Sequence, residues 1–437
     1  MDLTEPKVRT VLIIAPQFSP SSYPPANRVR LFTNHLESFG WKPLVLSVEP
    51  RFLEEEPDWE FANLISPTLE VIRSKALPFQ WTRLLGIGDL GIRSFFHQWA
   101  AARKLCRRKK VELVFISGPP WYAFLIAPLI KREFGIPYVL DYIDPWVSSM
   151  GERAPFWRKA YWYRKMASWL EPFAVRGATH IVSVSDGTSE CIRNRYSFFK
   201  KKPFTSMPYG SESLDFEYLR RNPKKNNFFQ KTDGHFNFVY TGTMLPRADS
   251  TLRALFEAVR LLKIERPDLY AKIRFYFIGT TYVANPKDPC VLPIAREFGI
   301  SEAVCEHPKR VPYLEAHFLL TQADAICALG TSEPHYTASK IYPCILANRP
   351  LLALYHKCSS VVTVVRDCNA GEIIDYDDIQ PVHTKVTQIK ETLMKLMCPD
   401  YSKPQTNWGH FEKYSAKNMT RELVQVLDSV TLMKVLS

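Results

Sequence analysis

The chain has 437 residues, 46% of them hydrophobic, and a formal net charge of +13. That length exceeds one ordinary core and suits two domains of about 200 residues each. No run of about 18 uninterrupted apolar residues occurs, so no transmembrane helix is predicted, and the charged start MDLTEPKVRT does not read as a secretion signal.

Residues 8–15, VRTVLIIA, predict a buried strand: a short β-branched run halted by the Ser- and Pro-rich loop PQFSPSSYPPAN. A helix over 27–39 follows, with Val29, Leu31, Phe32, Leu36 and Phe39 as apolar positions and Gly40 as its stop. WKPLVLSVE (41–49) is the next strand. Such a βαβ unit implies a parallel sheet covered on both faces. Strands continue at 111–118, 136–144 and 179–185, with helices up to 134 and over 155–175. The first domain is assigned to residues 1–210. A polar connector, RRNPKKNNFFQKTDG (220–234), leads into a second series. Its strands are expected at 235–242, 273–279, 303–306, 324–330 and 350–354. Its helices are expected at 249–264, 290–299, 313–322, 339–347 and 358–366. This second domain is assigned to 235–405, and 406–437 to a C-terminal helical segment that can return to the first domain. The predicted fold class is α/β: two Rossmann-like, doubly wound domains facing a central cleft, with ligands at the carboxyl ends of their strands.

Two strand-to-helix turns stand out. The strand at 236–241 runs into Gly242 and Thr243, followed by Arg247. The strand at 324–329 runs into Gly330 and TSEPHYTASK, where Ser339 and Lys340 open a helix. A helix N-terminus presents unpaired N–H groups and positive partial charge, which suit a phosphate. Ser339 can cap the helix or bond a phosphate oxygen, and Lys340 adds a full charge. The pair also reads as an ordinary cap beside a solvated lysine. Pro343 falls in the first turn, where its missing N–H is not needed. Gly279 ends another strand. It can give a nucleotide room to approach the backbone, or simply terminate the strand.

The positive charge is uneven, with 23 Lys/Arg against 9 Asp/Glu in residues 73–202. RKLCRRKK (103–110) holds six cations, and PFWRKAYWYRKMASWLEPF (155–173) mixes aromatics with Arg158, Lys159, Arg164 and Lys165. Trp and Tyr beside Lys and Arg suit an anionic membrane surface, which would place the first domain on the inner face of the plasma membrane. Trp157, Trp162 and Trp169 equally suit core or interdomain packing. No nucleic-acid-binding signature occurs, so no nucleic acid partner is expected. Nine cysteines without a CxxC pair indicate a reduced, cytoplasmic protein, and the ten histidines show no metal-ligand spacing.

SKIYPCILANRPLLAL (339–354) resembles the Pro-Ser-Lys-Leu-Phe-Glu-Tyr…Gly-Lys-Pro-Val-Leu-Ala segment of family-4 (group 1) glycosyltransferases with the GT-B fold. In the same order, APQFSPSSYPPANRVRLFTNHLESFGWKPLVLS (15–47), SGPPWYAF (117–124), DYIDPW (141–146), SVSDGT and MPYGSESLDF (207–216) are similar to further elements of that family. The resemblance implies retaining sugar transfer from a nucleotide-diphosphate sugar to a glycan or lipid-linked acceptor, in cell-surface polysaccharide assembly. It implies no metal and no cofactor beyond the donor itself. It assigns the donor phosphates to Gly242, Arg247, Ser339 and Lys340, and the nucleotide to Gly279 and Arg310. It assigns the acceptor side to Pro25, Asn27 and Arg28, and catalysis to Asp144 as proton acceptor and His335 beside the sugar. The sequence departs from the family pattern at its paired glutamates, which fall on His335 and Pro343, with Glu333 close by. A non-catalytic, membrane-associated relative and a nucleotide-sugar epimerase on this fold are the competing readings.

Overall fold

A computed structural model describes residues 8–84, 86–147, 152, 154–198, 202–231, 234–281, 288–334 and 338–436. The chain divides into two compact units, one of Met1–Gly210 with Ala416–Ser437 and one of Ser211–Ser415.

The first unit is built on a parallel sheet of β1 (Arg9–Ile14), β2 (Trp41–Val48), β3 (Glu70–Ser74), β4 (Leu113–Gly118), β5 (Tyr138–Tyr142), β6 (His180–Ser183) and β7 (Phe204–Ser206). The order is β3-β2-β1-β4-β5-β6-β7. Its helices are α1 (Pro24–Thr33), α2 (Phe79–Leu84), α3 (Leu90–Arg108), α4 (Ile126–Phe134), α5 (Lys159–Arg176) and α6 (Asp186–Arg195). Side chains alternate across the sheet as strand geometry requires. Val11 and Ile13 join Phe32, Trp41, Phe115 and Val139 in one core layer, while Leu12 and Ile14 join Leu44, Val114, Ile116 and Leu140 in the other.

Three features differ from the sequence expectation. Helix α1 starts at Pro24, because Pro24 and Pro25 occupy its first positions, where a missing N–H costs nothing. Residues 36–39 form a separate 3-10 turn closed by Gly40 at φ 80°. Strands β3 and β7 and helices α2, α3 and α6 were not expected at all. In α5, Pro172 removes the N–H that would reach the Ser168 carbonyl, and the Tyr196 hydroxyl donates there instead at 3.3 Å.

The second unit holds β8 (Phe236–Thr241), β9 (Ile273–Ile278), β10 (Val304–His307), β11 (Ala325–Leu329), β12 (Leu351–His356) and β13 (Glu372–Tyr376), ordered β10-β9-β8-β11-β12-β13. Its helices are α7 (Ser213–Arg221), α8 (Asp249–Glu265), α9 (Leu292–Glu297), α10 (Tyr313–Gln322), α11 (Ile341–Leu346), α12 (Ser360–Asp367) and α13 (Val386–Met397). Strand β13 and helices α7 and α13 are additions to the expected series. The unit begins at Ser211, ahead of the connector at 220–234, and Tyr313 of α10 donates to Asp215 of α7 at 2.9 Å.

The last helix, α14 (Ala416–Leu436), belongs to the first unit. Met419, Leu423, Leu427 and Val430 recur at helical spacing and complete the core layer of Val11 and Ile13. Asp428 accepts the Trp41 indole N–H at 2.8 Å and pairs with Arg9 at 2.6 Å. In both sheets the strand order reverses at the centre, between β1 and β4 and between β8 and β11. Ligands bind at such switch points in open α/β sheets.

Candidate functional site

In the second unit, Gly242 directly follows β8 at φ 108° and donates its N–H to the Ile278 carbonyl at 2.7 Å. Lys340 stands at the N-cap of α11, and its side chain reaches back to the end of β8. Its Nζ donates to the Tyr240 hydroxyl at 3.0 Å and to the Thr243 carbonyl at 2.9 Å. A Cβ on Gly242 would stand 2.5 Å from Lys340 Cε, so only glycine fits both the backbone angle and the approaching lysine.

Lys340 is therefore not the solvated charge that its sequence context allows. Burial is the main cause that pushes its pKa down, to about 7; Cys344 opposes the shift and Arg310 reinforces it. Its two hydrogen-bond partners are neutral oxygens. An arriving anion would supply the missing countercharge. Ser339 lies one residue ahead of the cap, and α11 has no side-chain cap. Ser339 does not cap the start of the helix, one of its two expected roles: Lys340 takes the N-cap position, and the Ile341 N–H goes to the Ala338 carbonyl at 3.2 Å.

Gly279 ends β9 at φ 75°, and a Cβ there would lie 3.7 Å from Arg310 Cα and 3.8 Å from Gly242 Cα. Gly242, Gly279, Arg310 and Lys340 are thus gathered at one place beside the switch point. Arg247 forms an ion pair with Glu333, and its carbonyl accepts the Ser332 N–H at 3.0 Å. The loops after β8 and β11 are joined by these contacts. His335 lies outside the described residues.

A pocket of about 570 Å³ opens near the ends of β12 and β13, lined by Arg253, Ser332, His356, Tyr376 and His383 among others. His356 Nε2 is buried without a hydrogen-bond partner among the described residues, while its Nδ1 accepts the Cys358 N–H at 3.2 Å. Sequence reasoning did not mark it, since a single histidine at a strand end carries no spacing signal.

In the first unit, Asp144 follows β5 at its carboxyl end, where the Ile143 N–H meets the Gly118 carbonyl at 3.2 Å. The Asp144 side chain reaches solvent, yet the surrounding protein raises its pKa above the usual carboxylate value by desolvation. A carboxylate so placed is a competent proton acceptor. Arg28 does not present itself to a ligand, as its acceptor-side assignment requires. It is fully buried and grips Asp141 through Nε and Nη2, both at 2.8 Å. The Ser117 hydroxyl donates to the same carboxylate at 2.7 Å, and Arg28 also donates to the carbonyls of Met207 and Pro208. Asn27 accepts two bonds from Arg30, and Pro25 is buried in α1. Arg28 thus ties α1 to the carboxyl ends of β4 and β5, where Ser117 and Asp141 stand.

Among the described residues, no group of three or more His, Cys, Asp or Glu gathers as metal ligands, and no helix is long and apolar enough to cross a membrane.

Residues 25–210 match the family model described as a glycosyl transferase 4-like domain. No curated protein matches the chain in sequence. Solved structures match along nearly its whole length. HepE from Anabaena in complex with UDP-glucose shares 12% identity, with a TM-score of 0.61 over 96% of this chain and 99% of that one. A glycosyltransferase from Rickettsia africae shares 11%, with a TM-score of 0.59 over 97% and 98%. A UDP-forming trehalose-phosphate synthase from Burkholderia xenovorans shares 9%, with a TM-score of 0.63 over 97% and 99%. At such identities the likeness establishes the fold. The chain is a two-domain α/β protein of the GT-B fold, and its residues 25–210 are similar to a glycosyl transferase 4-like domain.

Proposed function

We propose that the protein transfers a sugar from a nucleotide-diphosphate sugar to a glycan or lipid-linked acceptor, with retention at the anomeric carbon. We place it in cell-surface polysaccharide assembly at the inner face of the plasma membrane. The observation that carries the reading is Lys340, half-buried against Gly242 with no countercharge among its hydrogen-bond partners. As the glycosidic bond breaks, negative charge grows on the departing diphosphate. Preorganised cations in a dry site stabilise that charge far better than water does. Lys340 meets it directly, and Arg247 and Arg310 add to the local field. Gly242 and Gly279 keep side chains out of the diphosphate's path. Asp144 takes the proton of the acceptor hydroxyl, and its raised pKa strengthens it as a base. The solved complex of HepE with UDP-glucose supports a uridine nucleotide as the first donor to try.

Thermal unfolding with UDP, GDP, ADP, CMP and their sugars tests the reading. A ligand at 100 times its Kd adds about 2.7 kcal/mol, a rise of several degrees in a protein of this size. One nucleotide stabilising wild type but not Lys340→Ala is the expected result. A flat panel with folded protein would overturn it.

A second reading rests on the Arg247–Glu333 pair. Glu333 is the one glutamate near the family's acidic positions, and it is engaged by a donor-side cation. A chain without a free carboxylate there is a candidate non-catalytic binder. Product analysis separates the outcomes: transferred sugar, unchanged donor, or isomerised donor.

A further inference from the structure

Helix α5 carries an apolar stripe on its solvent side. Trp162, Met166, Trp169 and Phe173 are 52%, 40%, 65% and 54% exposed. Their spacing of four, three and four residues puts them on one side of an α-helix. Ala167, Glu171, Ala174 and Val175 are buried on the opposite side. That inner side is fixed: the Glu171 carboxylate is held by Arg195 at 2.6 Å and by the Tyr142 hydroxyl at 3.3 Å. The helix cannot roll to hide its tryptophans. Just before it, Phe156 and Trp157 are 65% and 70% exposed and meet edge to face.

Cations border the stripe. Lys165 lies over the Trp169 ring at 5.7 Å, and Lys159 and Arg176 are exposed on the same helix. The neighbouring short helix α2 adds Trp81 and Leu84, also exposed. The loop that follows α2 is tied to α5 by the Tyr163 hydroxyl, which donates to Asp89 at 2.9 Å. Elsewhere in the basic region the charges are more fully paired: Arg103 and Arg107 engage Glu133, and Lys109 engages Glu70.

A contiguous apolar patch rimmed by charge marks an interaction site. A helix with tryptophans on one side and Lys and Arg beside them is suited to lie in the plane of a bilayer surface. We infer that the outer side of α5, with Phe156, Trp157 and the α2 pair, seats the first unit on an anionic lipid bilayer. The aromatic rings enter the headgroup region and the flanking cations meet lipid phosphates. The inference deepens the membrane placement proposed above and rests on it, but not on the identity of the donor.

Flotation with phosphatidylcholine vesicles, with and without phosphatidylglycerol, provides the test. Wild type should float with the anionic vesicles. The exposed triple variant Trp162→Ser, Trp169→Ser, Phe173→Ser should lose that binding by at least about tenfold, with an unchanged thermal midpoint. Lys159→Glu with Lys165→Glu should lose anionic binding in the same assay. Absence of flotation by folded wild type, or equal flotation by the serine variant, would overturn the inference. So would a concentration-dependent dimer that the serine variant abolishes, because the stripe would then be a self-interface. Nucleotide-dependent stabilisation, measured on the same preparations, keeps the two proposals apart. Wild type that fails to float yet keeps its nucleotide response sinks only the bilayer contact.

Discussion

Arg28 and Asp141, 113 residues apart in the chain, form a bidentate pair with neither side chain exposed. Breaking such a pair strands a charge where water cannot reach it, at a cost of about 3–5 kcal/mol. Arg28→Met should lower the midpoint of the first unit by roughly 10 °C. Adding Asp141→Leu should recover much of the loss, since no charge is then left alone. Scanning calorimetry of the two variants measures both. A double variant no more stable than Arg28→Met alone would show that the stranded charge is not the cause of the loss.

Gly242→Ala should fold and lose donor affinity. The backbone there has φ 108°, which a side chain tolerates only at a cost of about 1–3 kcal/mol, and the new methyl would press on Lys340. Titration calorimetry with UDP and UDP-glucose is the measurement. Unchanged affinity would remove Gly242 from the site.

Lys340 should make donor binding depend on pH. Its pKa of about 7 leaves it charged below neutrality and neutral above. Binding an anion above pH 7 therefore requires proton uptake. Affinity for a UDP-sugar should be level below pH 7 and fall by up to tenfold per unit above it. Lys340→Met should flatten the profile. The same shift acts on stability with the opposite slope. From pH 7 up to the ordinary lysine value the unfolded chain binds more protons than the folded one, so ligand-free protein gains stability as pH rises.

Glu333→Gln should tighten diphosphate binding. The Arg247–Glu333 pair is half exposed, so releasing Arg247 is worth at most about 1 kcal/mol, or a fivefold gain in affinity. A weaker complex would mean that Glu333 itself contacts the donor.

The sequence made the central strands legible because β1, β2, β4, β5 and β8 are apolar runs ended by Gly, Pro or Ser. Of the edge strands, β10 was expected, while β3, β7 and β13 were not. Glu70–Ser74 reads EVIRS and Phe204–Ser206 has three residues, so neither carries a long apolar signal. In the second unit, Gly242, Gly279, Arg310 and Lys340 were marked from sequence, and the structure brings them together. The burial of Lys340 was not visible, because it depends on Tyr240 a hundred positions earlier. Arg28 misled for the same reason: its partner Asp141 lies on a strand that only the folded sheet brings near. The tryptophans of α5 show helical spacing, but spacing cannot say which side faces the core. The buried Glu171 decides it.

The placement of α14 has a consequence for synthesis. Met419, Leu423, Leu427 and Val430 cover a core layer laid down by residues near the start of the chain. The whole second unit, Ser211–Ser415, leaves the ribosome in between. Until it has, the part of that sheet face that α1 leaves uncovered stays open to chaperones or to wrong partners. A ribosome stalled before residue 416 would release a chain whose second unit is complete and whose first is not.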